Sequence, residues 1–105
     1  QVVAAVKDFA LKNCCTVVYK SHVIYIASAK GDFSVIDGMN PALGTAGSGD
    51  VLAGIITGLL ARGCDGYSAA CLGAAMHQIA GKLAYDKIGI FTSEDLLSFI
   101  SYLSK

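Results

Sequence analysis

The chain has 105 residues, 54% apolar and 15% charged, with a net charge of zero. It is one domain at most, apolar enough to bury a core and too apolar for disorder. No lysine or arginine run is present to neutralise a nucleic-acid backbone, and the longest apolar stretch, Val51 to Ala61, is too short to span a bilayer.

Val2, Val3, Val6, Phe9, Ala10 and Asn13 recur at helical spacing, with Lys7, Asp8 and Lys12 on the other side, which predicts a first helix. Cys15 to Tyr19 and Val23 to Ala27 are short β-branched runs that suit strands. Gly31-Asp32 reads as a turn, and Phe33 to Ile36 as a third strand. From Asp37 to Gly49, Gly, Asn, Pro, Ala and Ser dominate, which signals a loop. Asp50 to Arg62 is helical and almost wholly apolar, so its burial is expected, with Gly63 as its C-terminal stop. A long Ala-rich helix follows, from Tyr67 to about Tyr85. Ser93 or Thr92 is the N-cap of a final helix that carries Leu96, Leu97, Phe99, Ile100 and Leu103. The order of elements is that of part of an α/β sandwich, but three short strands are few for helices this apolar.

Gly44-Thr45-Ala46-Gly47-Ser48-Gly49-Asp50 is the segment richest in chemistry. Its glycines let a ligand approach the backbone, and successive N–H groups in such a turn form an anion nest. The helix that follows adds its unpaired N–H groups and positive dipole end. Together they suit a phosphate or a developing oxyanion. The P-loop pattern fails because no lysine follows, and the dinucleotide pattern G-x-G-x-x-G fails after Gly49. The acid in the first helical turn, Asp50, has two readings: an N-cap, or a base for a hydroxyl that attacks phosphorus. Both stay open on the residues alone.

Asn40-Pro41-Ala42-Leu43-Gly44-Thr45-Ala46-Gly47-Ser48-Gly49-Asp50-Val51-Leu52-Ala53-Gly54 resembles the signature of the ADP/ATP-dependent NAD(P)H-hydrate dehydratases, of the ribokinase-like superfamily. Val17 to Ser21, the Gly73, His77, Ala80 and Gly81 set, and Thr92 to Leu97 also resemble segments of that family. The resemblance implies the C-terminal part of a ribokinase-like three-layer α/β/α sandwich across residues 1–105, with the N-terminal part of the domain outside the chain. It implies a hydro-lyase that restores NADH or NADPH from the hydrated form. A nucleoside phosphate, ADP or ATP with Mg2+, would phosphorylate the substrate hydroxyl before phosphate is eliminated. By the same resemblance Asp50 is the catalytic base, Gly47, Ser48 and Gly49 form the anion hole, and Asp50 and Asn40 meet the substrate. Lys20, Ser21, His22, Val23, Ile24 and Gly49 bind the nucleotide. Ser21 stands where the family has glycine, and Ile24 where it has threonine.

The start at Gln1 rather than methionine leads us to expect a piece of a longer protein. No signal-peptide pattern is present, and a cytoplasmic protein is expected. Self-association is expected too, with a separate N-terminal piece of the same protein as a further partner. No metal-ligand residue set is expected. Cys14, Cys15, Cys64 and Cys71 form no C-x-x-C pair and read as small buried residues in a reducing compartment. Met76 reads as core and His77 as a packing residue. Tyr19 and Tyr25 read as packing rather than as walls for an adenine. Two alternatives stand beside the dehydratase: a ribokinase-like kinase of a sugar, hydroxymethylpyrimidine or thiazole, and an inactive nucleotide-binding fragment.

Overall fold

A computed structural model describes residues 1–21, 23–37, 48–89 and 91–103. Helix α1 (Val2–Asn13) precedes a three-stranded antiparallel meander, β1 (Val17–Lys20), β2 (Ile24–Ala27) and β3 (Phe33–Ile36). Helices α2 (Ser48–Ala61), α3 (Gly66–Ile88) and α4 (Ser93–Leu103) follow. Strand alternation sends successive side chains to opposite faces. On one face Val17, Tyr25, Ala27 and Phe33 pack against Val6 and Ala10 of α1. On the other, Val18, Ile24, Ile26 and Ile36 pack against Leu52, Ile56, Ala70 and Ala74 of α2 and α3. The result is the expected α/β/α layering.

Helix ends account for most of the shifts from the predicted boundaries. Strand β1 starts at Val17 rather than Cys15 because Cys14 and Cys15 close α1. Cys14 takes the left-handed conformation, φ 50°, and the Cys15 N–H bonds the Ala10 carbonyl at 3.2 Å. This is a glycine's place in a helix terminus, occupied here by cysteine. After α2, Gly63 takes φ 98°. The Cys64 N–H then reaches the Leu59 carbonyl at 3.2 Å, and the Gly63 N–H reaches that of Leu60 at 3.0 Å, a complete Schellman motif. Helix α3 starts one residue earlier and ends three later than predicted. Its cap, Asp65, accepts from the Ser68 N–H at 3.0 Å and from the Ser68 hydroxyl at 2.9 Å. Of the two candidates for α4, Thr92 is the cap. Its hydroxyl accepts from the Asp95 N–H at 3.1 Å, and the Asp95 carboxylate accepts from the Thr92 N–H at 2.9 Å.

Several burial expectations are corrected. Helix α2 is not buried all round: Val51 and Leu52 are buried, Ile55, Ile56 and Leu59 half-buried, and Ala53, Gly54, Thr57, Gly58 and Leu60 exposed. Among the described residues, α3, α4 and the sheet cover α2 on one side. Phe9, expected on the core side of α1, is 56% exposed because the two-residue contact of Val6 and Ala10 leaves it at the rim. The cysteines are free, Cys14 exposed and the other three half-buried, since Cys14 and Cys15 lie at a helix end rather than in a core. Met76 is half-buried, on the flank of α3.

Two consequences are measurable. A non-glycine residue in the left-handed region costs about 1–2 kcal/mol, against about 0.5–1 kcal/mol for glycine's extra chain entropy. Cys14→Gly therefore raises stability by about 0.5 kcal/mol in chemical denaturation. The hydrogen bond from the Ser68 N–H, followed by that from its hydroxyl, holds the Asp65 carboxyl below the ordinary carboxylate value of 3.8. A depressed carboxylate stabilises the fold above its unfolded pKa and loses that contribution as pH falls through its folded one. The melting-temperature gap between wild type and Asp65→Ala is accordingly full at neutral pH and closes below about pH 4.

Candidate active site at the start of α2

Helix α2 begins at Ser48, two residues before the predicted Asp50. Asp50 is therefore a helical residue, in the first turn where the sequence places it. Its carboxylate lies in the first turn, where the dipole favours negative charge, and both Gly49 and Asp50 are exposed. The two residues that follow are buried in different places. Val51 joins Ala80, Ala84, Phe91 and Leu96 between α2, α3 and α4. Leu52 joins Ile24, Ile26, Ala70 and Ala74 beneath the sheet. The acid is thus presented to solvent on a helix end clamped by two hydrophobic clusters.

The proposed nucleotide stretch spans the β1–β2 turn. The Ser21 N–H donates to the Val23 carbonyl at 2.8 Å, which closes the hairpin. Ser21 is exposed and Lys20 half-buried, whereas Val23 and Ile24 are buried, Ile24 to 1%. Ile24 faces the core shared with Leu52, so its side chain serves packing. Any contact Val23 or Ile24 makes with a ligand is therefore by backbone. The shared cluster links this turn to the start of α2. His22, Asn40, Gly44 and Gly47 lie outside the described residues, and of Ser48 only the helical backbone is described.

Tyr19 and Tyr25 belong to the other face of the sheet. Their ring centroids are 6.1 Å apart, Tyr25 and Phe33 follow at 6.5 Å, and the Lys7 ammonium sits 5.6 Å over the Phe33 ring. This aromatic ladder packs beneath α1, away from Asp50. His77 is wholly buried on α3, as a packing residue would be.

A polar cluster that sequence reasoning missed lies between β3 and α3. The Ser34 and Tyr67 hydroxyls share a hydrogen bond, and the Cys71 thiol donates to the Ser34 hydroxyl at 3.7 Å. The Ser34 bond favours the phenolate, but desolvation, Cys71 and Asp32 outweigh it and raise the Tyr67 pKa above 10.0. The i, i+4 spacing of Tyr67 and Cys71 is legible in sequence; their meeting with Ser34 is not. Tyr67 also borders a cavity of about 570 Å³, with Cys14, Cys15, Lys30, Asp32 and Asp65. That cavity adjoins the β2–β3 turn, at the opposite end of the hairpin from Lys20 to Ile24, and none of the nominated site residues lines it.

Fold and site define an α/β unit with an acid on the first turn of a helix. The sequence model of the NAD(P)H-hydrate dehydratase family matches residues 1–102. The chain belongs to that family. An ADP-dependent (S)-NAD(P)H-hydrate dehydratase of Xanthomonas campestris is 44% identical over 92 residues, 84% of this chain and 32% of the relative. A protein of the same description from Neisseria meningitidis is 42% identical over 87 residues, 83% of this chain and 29% of the relative. A bifunctional NAD(P)H-hydrate repair enzyme of Methanopyrus kandleri is 37% identical over 97 residues, 91% of this chain and 19% of the relative. The chain thus spans a third or less of the length of these relatives.

If Asp50 serves chemistry rather than folding, its removal leaves stability nearly intact. Asp50→Asn loses only a dipole interaction at an exposed helix start, about 0.3–1 kcal/mol by urea denaturation.

Proposed function

We propose that this chain carries the catalytic turn of a nucleotide-dependent NAD(P)H-hydrate dehydratase and forms the C-terminal portion of its ribokinase-like domain. The observation that carries the reading is the family match over residues 1–102, with an exposed Asp50 on the first turn of α2. The relatives' share of length supports the domain assignment, as do the apolar side chains left exposed at Phe9, Leu11 and Leu60. The same apolar surface supports association with a second copy or with a separate piece of the domain.

In this reading the hydrated ring of NADH or NADPH presents its hydroxyl to Asp50. The carboxylate accepts the hydroxyl proton while the oxygen attacks the terminal phosphorus of ADP or ATP. The bond from that phosphorus to the bridging oxygen breaks, and the shortened nucleotide leaves with the electron pair. Backbone N–H groups of Gly47, Ser48 and Gly49 stabilise the charge on the phosphoryl oxygens, assisted by the positive end of α2. The phosphate ester then loses inorganic phosphate, with loss of a ring proton, and the double bond returns. Hydroxyl is thereby exchanged for a far better leaving group. Asn40 helps hold the hydrated ring, and Lys20, Ser21, His22, Val23 and Ile24 hold the nucleotide.

Among the described residues no three His, Cys, Asp or Glu side chains converge as a metal site. Magnesium would come with the nucleotide phosphates, and no step above depends on it. No helix among the described residues is long and apolar enough to cross a membrane. A cytoplasmic location suits a repair enzyme for these cofactors.

The assay is recovery of NADH absorbance from hydrated NADH with ADP or ATP, in the protein that carries this chain. Recovery is expected in wild type and is reduced at least about 100-fold in Asp50→Asn, the scale of general-base loss. Phosphorylation of a sugar, pyrimidine or thiazole alcohol without NADH recovery would replace the dehydratase by a kinase. Nucleotide binding with neither reaction would leave a non-catalytic fragment.

A further inference from the structure

Gly73 lies buried in the middle of α3, against α2. A Cβ at this position would stand 2.7 Å from Cγ1 of Ile56, far inside van der Waals contact. The next atoms, Ile55 Cγ2 at 3.5 Å and Ile56 Cα at 3.6 Å, are at ordinary contact distance. Gly54 and Gly58, on α2 itself, meet nothing within 4 Å. The close approach is therefore one-sided: a bulky α2 residue rests on a bare α3 backbone.

Ile56 cannot easily turn aside. A β-branched side chain in a helix is held to one χ1 well, and Ile56 packs against the cluster of Ile24, Ile26, Leu52, Ala70 and Ala74. A methyl group at position 73 therefore pushes back α2 itself. From Ile56 to Asp50 is six residues, about 9 Å of continuous helix. Val51 and Leu52 are both buried, so a displacement of α2 reaches Asp50 rather than being absorbed at its end. A misplacement of about 1 Å in a reacting group can cost on the order of 100-fold in rate.

We propose that Gly73 is a positioning residue for Asp50: its missing side chain sets the depth at which α2 seats on α3, and so the place of the base. The proposal rests on the reading of Asp50 as base. It is tested by Gly73→Ala, Ile56→Ala and the double variant, in the protein that carries this chain. Gly73→Ala is expected to lower kcat at least about tenfold with nucleotide KM changed less than about threefold, as for a group out of place only at the reacting step. Ile56→Ala removes the obstructing Cγ1; alone it lowers the melting temperature but keeps kcat near wild type. The double variant recovers kcat to within about threefold of wild type while its melting temperature stays below it. Rescue of rate without rescue of stability is a result that a purely structural role does not produce. Wild-type kcat in Gly73→Ala, or a double variant as slow as the single, overturns the proposal.

Should wild type restore no NADH, the dehydratase reading fails and positioning is read from backbone amide resonances. Those of Gly49 and Asp50 are expected to shift in Gly73→Ala and to return in the double variant. Unmoved resonances in Gly73→Ala overturn the proposal independently of activity.

Discussion

The contact on which the rest of this molecule depends is the seam between α2 and α3. The buried face of α3 is made of Ala69, Ala70, Gly73, Ala74, Ala80, Gly81 and Ala84, with His77 the one large side chain among them. So smooth a surface lets a neighbouring helix approach closely, toward the short end of the usual interaxial range of about 8–10 Å. The volume that fills the seam comes from the other side, from Val51, Leu52, Ile55 and Ile56. Bulk on one partner and backbone on the other make the relative depth of the two helices sensitive to single atoms, as close-packed interiors are.

The start of α2 inherits its placement from that seam. Val51 and Leu52, successive on the helix and about 100° apart around it, enter the α3–α4 cluster and the sheet cluster respectively. Two anchors in different directions set the rotation of the first turn, while its depth follows the seam with α3. Gly49 and Asp50, immediately before them, are exposed. The base proposed at Asp50 needs accessibility and a rigid support together, and residue 50 is exposed where residue 51 is buried.

The outer surfaces read differently. Apolar side chains stand exposed on α1 at Phe9 and Leu11, on α2 at Leu60, and on α3 at Leu72, Ile79 and Ile88. Strand β1 is an edge of the sheet with half-buried residues. In a chain a third as long as its relatives, these features fit the proposal that more of the domain packs here.

Much of this was legible in the residues. The β-branched runs marked the strands, with β3 at its predicted bounds, and the 3.6-residue pattern marked α1. The glycine turn marked the helix start that carries Asp50, because phosphate chemistry needs bare backbone and a helix N-terminus together. Less legible were helix ends where an unfavoured residue stands in a special conformation, as Cys14 does, since propensity points elsewhere. Asp65 was missed because a cap declares itself only once the helix it closes is placed. The sequence by itself determined the elements and the family, since these reside in local pattern and side-chain type. Only the tertiary structure decided that Ile24 faces the core and that Gly73 faces Ile56. Each of these depends on which distant surfaces meet, and alanine and glycine on α3 carry no directional signal of their own.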